Sequence, residues 1–412
     1  MKPHARTEKQ AADPAGVNVE TGAVPHEHHA RQARHLPYET VALVLQGGGA
    51  LGAYQAGVFE GLHEAGISLN WIAGISIGAL NTAIIAGNAP KLRIERLRQF
   101  WETICKPAFS PPLPAAFEHA LFNGTEATRA MLTAFQAAGA VMQGQHGFFA
   151  PRVPSPVPWL PTGPDKASWY DAAPLKATLE RLCDFDRINS GETRVSVGVV
   201  NVGTGNFAYF ENTRMQLRAE HFMASGALPP AFAPVEIDGE FYWDGGIVSN
   251  TPLHKVLNAS PRRDTLTFQV DLWNARGPVP ESMAEVAERT KDIQYSSRTR
   301  LVTDTLQREQ RYRHVLRQVL DQVPADVRES DPWCKLADEL SCGKRYNVLH
   351  LIYQQRKYER DYKDYQFGPS TMHNHWAAGL TDIRNTLAND AWLELPDNDG
   401  GFVTHDVHRV TK

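Results

Sequence analysis

A chain of 412 residues with 42% hydrophobic side chains has enough apolar surface for one large domain or two ordinary ones, and this composition speaks against a disordered or fibrous protein. A formal charge of −4 and a pI near 6.5 argue against a nucleic-acid partner held by bulk positive charge. The four cysteines, Cys105, Cys183, Cys334 and Cys342, stand far apart without a Cys-x-x-Cys pair, so neither a zinc knuckle nor a dense disulfide scaffold is indicated.

Residues 1–37 are polar and show no sustained period, so they are expected to form a tail unable to bury enough surface to order. The tail histidines His26, His28, His29 and His35 fail the His-Glu-x-x-His metal spacing, because Ala30 stands where the second histidine belongs. No apolar h-region follows Met1, and the longest apolar stretch, Ile77 to Ala86, is too short to span a bilayer. The expectation is a cytoplasmic protein whose membrane contact, if it makes one, is peripheral.

Ordered patterning begins at Val41. Val41 to Leu45 reads as a buried strand, Gly47 to Gly52 as a tight loop, Ala53 to Glu64 as a helix with Gly66 at its C-terminal cap, and Leu69 to Ile75 as a second strand. That is a βαβ unit. A second helix opens at Ser76, which puts this serine at a helix N-terminus, where backbone N–H groups and the helix dipole favour negative charge.

Residues 107–170 carry Pro111-Pro112, Pro151, Pro154, Pro156, Pro158 and Pro161, a composition that suits an irregular insertion, either a lid over an apolar cleft or a plain surface excursion. A helix near Leu175 to Leu182 follows, then a hairpin of Arg194 to Val202 with Phe207 to Phe210. In a second hairpin Val235-Glu236-Ile237 turns at Asp238-Gly239 into Glu240 to Trp243, since Asp-Gly supplies the positive φ angles of a type I′ turn, and Asp244-Gly245-Gly246 comes at its end. Leu266 to Leu272 reads as a strand.

From about residue 280 the chain turns helical and charged. Leu301, Thr305, Tyr312, Val315, Leu316, Val319 and Val323 recur at helical spacing as an expected packed stripe, with Arg308, Arg311, Arg313 and Arg317 on other faces, solvated or resting on anionic lipid. Val348 to Ile352 reads as a late strand that returns to the sheet, and a helix near His375 to Leu387 closes the chain. The expected organisation is a tail over 1–37, a catalytic domain over 38–275 and a mainly helical extension over 276–412.

Three glycine-bearing motifs carry the chemistry. Gly74-Ile75-Ser76-Ile77-Gly78 puts one serine on a sharp strand-to-helix turn with its hydroxyl exposed for attack. Gly47-Gly48-Gly49-Ala50-Leu51-Gly52 satisfies the Gly-x-Gly-x-x-Gly pattern between a strand and a helix, the context of a dinucleotide loop, yet no carboxylate closes the second strand to bind a ribose. An oxyanion hole explains both clusters together, with amides near Gly48 and Gly49 donating to the charge that develops on an ester carbonyl. For the base two arrangements stay open: a histidine downstream of Asp244 (His254, His314, His350, His373 or His375), or Asp244 itself, which needs desolvation and direct contact to accept a hydroxyl proton.

In order, spacing and context, Gly47 to Gly52, Gly74 to Gly78 and Asp244-Gly245-Gly246 resemble the motifs of the patatin-like phospholipases, lipid acyl hydrolases with a Ser-Asp dyad. The resemblance extends to Ala224 to Pro229, Phe232 to Val235 and Asn250 to Leu253, covers roughly residues 38–275, and leaves a C-terminal third similar to an extension seen in some bacterial members. It implies a three-layer α/β/α fold with a mainly parallel sheet, Ser76 as nucleophile, Asp244 as proton acceptor, Gly47 to Gly52 as the oxyanion loop, and no metal or organic cofactor. One position departs from it: Leu51 stands where the family commonly has Arg or Lys, which puts phospholipid preference in question more than hydrolysis. The expected activity is cleavage of lipid acyl esters, with Phe148 and Phe149 shaping an acyl channel; the rivals are an NAD(P)-dependent oxidoreductase using the glycine loop and a non-catalytic lipid-binding protein. No heptad run specifies an oligomer.

Overall fold

The structure is a computed structural model that describes residues 34–106, 123–296, 299–356, 359–360, 362–397 and 401–408. Most of the expected tail, with His26, His28 and His29, lies outside the described residues. Ordered packing begins before residue 38, since Leu36 is buried and the Arg34 amide donates to the Gly66 carbonyl at 2.9 Å.

Eleven strands are described: β1 Thr40–Leu45, β2 Trp71–Gly74, β3 Ala150–Pro151, β4 Tyr170–Asp171, β5 Arg194–Asn201, β6 Phe207–Glu211, β7 Val235–Ile237, β8 Glu240–Asp244, β9 Thr265–Asp271, β10 Tyr346–Ile352 and β11 Phe402–Asp406. Nine form one sheet in the order β11-β10-β9-β1-β2-β5-β8-β7, with β6 also paired to β5. From β11 to β5 every pairing is parallel, and β6, β7 and β8 add an antiparallel end. The parallel centre is covered on both faces: β1 and β9 are buried along their whole length, as strands between helices must be, although one face of β9 carries the polar Thr265, Thr267, Gln269 and Asp271.

The helices are α1 Ala53–Glu64, α2 Ile77–Ala86, α3 Arg93–Ile104, α4 Glu126–Gln143, α5 Ala173–Leu182, α6 Phe185–Asn189, α7 Ala219–Ser225, α8 Leu253–Leu257, α9 Met283–Tyr295, α10 Thr299–Asp321, α11 Ala325–Ser330, α12 Pro332–Leu340 and α13 Pro369–Leu387. On one face of the sheet Leu43, Leu45 and Ile72 meet Tyr54 and Val58 of α1, Leu80 and Ile84 of α2, Trp101 of α3, and Trp376 and Ile383 of α13. On the other, Val44, Ala73 and Val348 meet Leu253, Val256 and Leu257 of α8 and Leu306 of α10. The result is a three-layer α/β/α arrangement around a largely parallel sheet.

Several expectations are corrected. The stretch 107–170 is not irregular throughout: α4 runs for 18 residues, capped by the Thr125 hydroxyl, which accepts from the Thr128 amide, and β3 pairs with β4. The prolines flank an Ala-rich segment of high helix propensity, and averaging over both hides the helix; Pro111-Pro112 lies outside the described residues. The second strand is shorter than expected, ending at Gly74.

On α10 the packed stripe is Thr303, Leu306, Gln310, His314 and Leu320, whereas Tyr312, Val315 and Val319 are exposed. Polar side chains in that seam are partly satisfied: Gln310 Nε2 donates to the Lys344 carbonyl at 2.7 Å, and His314 Nε2 lies 3.2 Å from Gln318 Nε2. Arg308 and Arg311 are exposed, while Arg313 donates to Asn258 and Arg317 pairs with Asp338, so half of the supposed free basic face is engaged. The extension supplies β10 and β11, of which β11 carried no sequence expectation, so one sheet runs from the first ordered strand to the last.

Candidate active site

Strand lengths bring the two key side chains together. Four-residue β2 pairs with β5 only as far as Gly74 opposite Val197. Beyond that point β5 is free, and antiparallel β8 takes the vacated edge with Asp244 opposite Val199. Asp244 therefore arrives two residues past the end of β2, where Ser76 also lies two residues past Gly74. The Asp238-Gly239 turn sets the register of β8, with φ of 53° and 84° at its two central residues as a type I′ turn requires.

Ser76 caps α2 with φ 55° and ψ −127°, a strained conformation for a residue with a side chain. Its neighbours leave no room for anything but glycine: a Cβ on Gly74 would fall 2.4 Å from the Gly78 carbonyl oxygen, and one on Gly78 would fall 2.4 Å from that of Leu45. The Ser76 amide donates to Ser225 Oγ at 3.0 Å, and that hydroxyl donates to the Gly198 carbonyl at 2.7 Å, which ties the elbow to α7 and β5.

The Ser76 hydroxyl sits beside the Asp244 carboxylate, close enough to pull its pKa down, and Asp244 Oδ1 accepts from the Gly246 amide at 2.7 Å. Asp244 is 1% exposed. Burial pushes its pKa up to about 7 against the opposing pull of the Ser76 hydroxyl and the Gly246 amide. Among the described residues no histidine lines the cavity. Of the histidines considered as bases, His375 lies behind the glycine loop, with Nδ1 3.3 Å from the Ala50 carbonyl oxygen and Nε2 2.7 Å from Glu359 Oε1.

The glycine loop makes a 3-10 turn over Gly49–Gly52 before α1. Among the described residues the amides of Gly48 and Gly49 have no hydrogen-bond acceptor, and both residues line the cavity with Ser76 and Asp244. Ala50 and Gly52 are buried, and Leu51 is fully buried in the core, so the departure at position 51 lies away from the cavity wall. A buried polar chain fixes the loop. Trp101 Nε1 donates to Asn81 Oδ1, Asn81 Nδ2 to Gln55 Oε1, and Gln55 Nε2 to the Gln46 carbonyl, at 3.0, 2.9 and 2.6 Å. From the other side Asn250 Nδ2 and Trp273 Nε1 both donate to the Gly47 carbonyl, at 3.0 and 2.9 Å.

The remaining wall is largely apolar. Phe148, Phe149, Phe232 and Tyr170 meet edge-on or tilted with ring centroids 4.8 to 6.2 Å apart, joined by Leu80 and Leu228. The open space is about 850 Å³ including the mouth. A pyrophosphate on Gly48 and Gly49 would share this cavity with the buried Asp244 carboxyl, which disfavours the dinucleotide reading. Among the described residues no group of three His, Cys, Asp or Glu could hold a metal ion, and no helix is long and apolar enough to cross a membrane.

Comparison with known proteins settles the family. The model of the patatin-like phospholipases matches residues 43–257, and a second model, described as patatin phospholipase, matches residues 293–399. This chain belongs to the patatin-like phospholipase family. Curated patatin-like relatives match over shorter stretches. Patatin-like phospholipase domain-containing protein 6 of Homo sapiens is 32% identical over 112 residues, 27% of this chain and 8% of that protein. Lysophospholipase nte1 of Aspergillus terreus is 52% identical over 59 residues, 14% of this chain and 4% of that one. The matches thus span only a small part of these relatives' length. VipD of Legionella pneumophila, a solved structure, is similar with a TM-score of 0.34 and 15% identity over 85% of this chain and 66% of its own.

Sequence reasoning did not single out Gln46, Gln55, Asn81, Trp273 or the cavity residues Tyr295, Asp364, Tyr365 and Phe367. The first four act by holding backbone, for which no sequence pattern exists. The last four come from the extension, to which no role had been given.

Proposed function

We propose that this patatin-like chain is a lipid acyl hydrolase that works through a Ser76-Asp244 dyad and an acyl-serine intermediate. What carries the reading is one observation: a serine hydroxyl beside a desolvated carboxylate, in one cavity with two unpaired glycine amides. Asp244 accepts the Ser76 proton as Oγ attacks the ester carbonyl. The amides of Gly48 and Gly49 then donate to the oxyanion, at the N-terminal end of the turn leading into α1. Asp244 returns the proton to the departing alkoxide, and water, activated by the same carboxylate, releases the acid.

The aromatic wall around Phe148 and Phe149 receives the acyl chain, and burial of each methylene there is worth about 0.8 kcal/mol. Contact with the lipid surface falls to exposed apolar side chains on the segments that supply this wall, Met142 on α4 (78% exposed) and Trp159 in the β3–β4 loop (81% exposed). Labelling with a serine-directed fluorophosphonate tests the dyad. The native protein should label, Ser76→Ala should not, and Asp244→Asn should label far more slowly; equal labelling of all three rules the dyad out.

A further inference from the structure

A second cavity opens at the other end of the sheet. It lies where five neighbouring strands begin, at Tyr346 of β10, Thr265 of β9, Thr40 of β1, Trp71 of β2 and Arg194 of β5, and the loop from α8 to β9 adds Arg262 and Arg263 to its wall. β1 runs from Thr40 in this wall to Leu45, just before the glycine loop, so the two cavities stand at opposite ends of strands about 20 Å long. The open space is about 860 Å³ including the mouth, and among the described residues none lines both cavities.

The charge of this wall is one-sided. Among the described residues its charged members are Arg194, Arg262, Arg263 and Glu192. Glu192 is already held by Arg187 and, at 3.9 Å, by Arg93. Arg194 lies over Trp71 with Cζ 3.7 Å from the ring centroid, and its Nη2 donates to Glu211 Oε2 at 3.0 Å. Glu211 also holds Lys255 Nζ at 2.5 Å, so one buried carboxylate answers two cations. Arg262 and Arg263 have no carboxylate within ion-pair reach and no side-chain hydrogen bond among the described residues. Glu39, whose field reaches Arg263, is itself held by Lys344 at 2.6 Å.

Donors here go unanswered as well. Arg194 Nε, Arg262 Nε and the hydroxyl of Tyr346, a residue 2% exposed, are shut off from solvent without a hydrogen-bond partner among the described residues. The Cys342 thiol and the Arg262 guanidinium lie near that hydroxyl. Buried donors left in this state are costly. The amides at the strand starts are taken, that of Thr40 by the Asp264 carbonyl, that of Arg194 by Asn70 and that of Thr265 by Arg345, so an incoming acceptor meets side chains.

A cation is repelled by such a wall, and a neutral ligand leaves two guanidinium charges unmatched. An anion answers them. Guanidinium forks suit an oxyanion with several acceptor oxygens, of which phosphate offers more than a carboxylate. Val256, Leu257 and Ala259 add apolar surface for the organic part of a phosphate ester.

We propose that this cavity binds a phosphate-bearing anion, held by Arg262 and Arg263 beside the fixed Arg194-Trp71 stack, at the opposite end of the sheet from Ser76. No bond of the ligand is made or broken there, and the site does not depend on the acyl-serine reading. A small soluble ester and a lipid headgroup present the same group to these arginines.

Isothermal titration of the full chain with inorganic phosphate and with glycerol 3-phosphate, against potassium chloride at equal ionic strength, reads the site. Co-sedimentation with phosphatidylcholine vesicles, with and without phosphatidate, reads the headgroup source. Saturable binding of the soluble anions but not of chloride assigns a soluble phosphate, and retention that requires phosphatidate, without soluble binding, assigns a headgroup. In either case Arg262→Gln and Arg263→Gln should each weaken binding about tenfold, the loss of one charge-assisted contact, and leave fluorophosphonate labelling at the native level. Neither variant should lower Tm without ligand, because neither guanidinium has a partner to lose. The site is overturned if none of the three phosphate probes binds, if binding is unaltered in both variants, if fluorophosphonate blocks it, or if ligand-free Arg262→Gln melts below the native protein.

Discussion

Asp244→Asn should make the protein more stable and nearly inactive, and the stability gain should grow with pH. The carboxyl is carried by burial from 3.8 to about 7, which corresponds to about 4 kcal/mol of disfavoured ionisation in the native state. Because the folded pKa lies above the unfolded one, the native protein has its full stability below about pH 4. It then loses stability as pH rises towards 7 and levels off above. The neutral amide escapes this loss. By this linkage the variant should gain about 1 kcal/mol at pH 4.5 and about 4 kcal/mol at pH 8, the latter raising Tm by roughly 5 °C in a domain this large. Urea unfolding of both proteins at the two pH values measures the difference. In parallel, kcat/KM of the native enzyme should rise along an acid limb centred near pH 7, because only the carboxylate can accept the serine proton. A stability difference that is the same at both pH values, or an acid limb near pH 4, would refute the claim that Asp244 is desolvated and acts as the base.

Ser76→Gly should abolish hydrolysis and stabilise the fold by about 1 kcal/mol, since glycine adopts a positive φ without strain; calorimetry showing destabilisation would argue against a strained elbow. Replacing Phe148 and Phe149 with Asn should cost activity on long-chain p-nitrophenyl esters at least tenfold more than on the butyrate, and equal losses would remove the acyl-wall assignment. Trp159→Ser with Leu160→Ser should weaken sedimentation with phospholipid vesicles while leaving hydrolysis of a water-soluble short ester unaltered, because both side chains are exposed and neither lines the cavity; unchanged vesicle binding would place lipid contact elsewhere.

Local chemistry was legible where one short segment encodes it. Val41 to Leu45, Ala53 to Glu64 and the Asp238-Gly239 hairpin all lie where periodicity and turn residues put them. The fold class and the three glycine motifs were equally readable, because close backbone approach at Gly74 and Gly78 admits no other residue. Reading failed where pattern and packing part company. Proline content concealed α4, and apolar spacing on α10 pointed to the exposed face, because Gln310 and His314 are accommodated in the seam.

By itself the sequence determined that a serine stands at a strand-to-helix elbow, one βα unit after a glycine loop and far ahead of an Asp-Gly-Gly. Only the tertiary structure decided that Asp244 reaches that serine, because the contact depends on β2 stopping at Gly74 and β8 taking over its edge of β5. It also decided the far wall of the cavity, where a turn from the extension rests on Gly49. Such pairings join residues far apart in the chain, and their geometry depends on strand length and register, which no local pattern encodes.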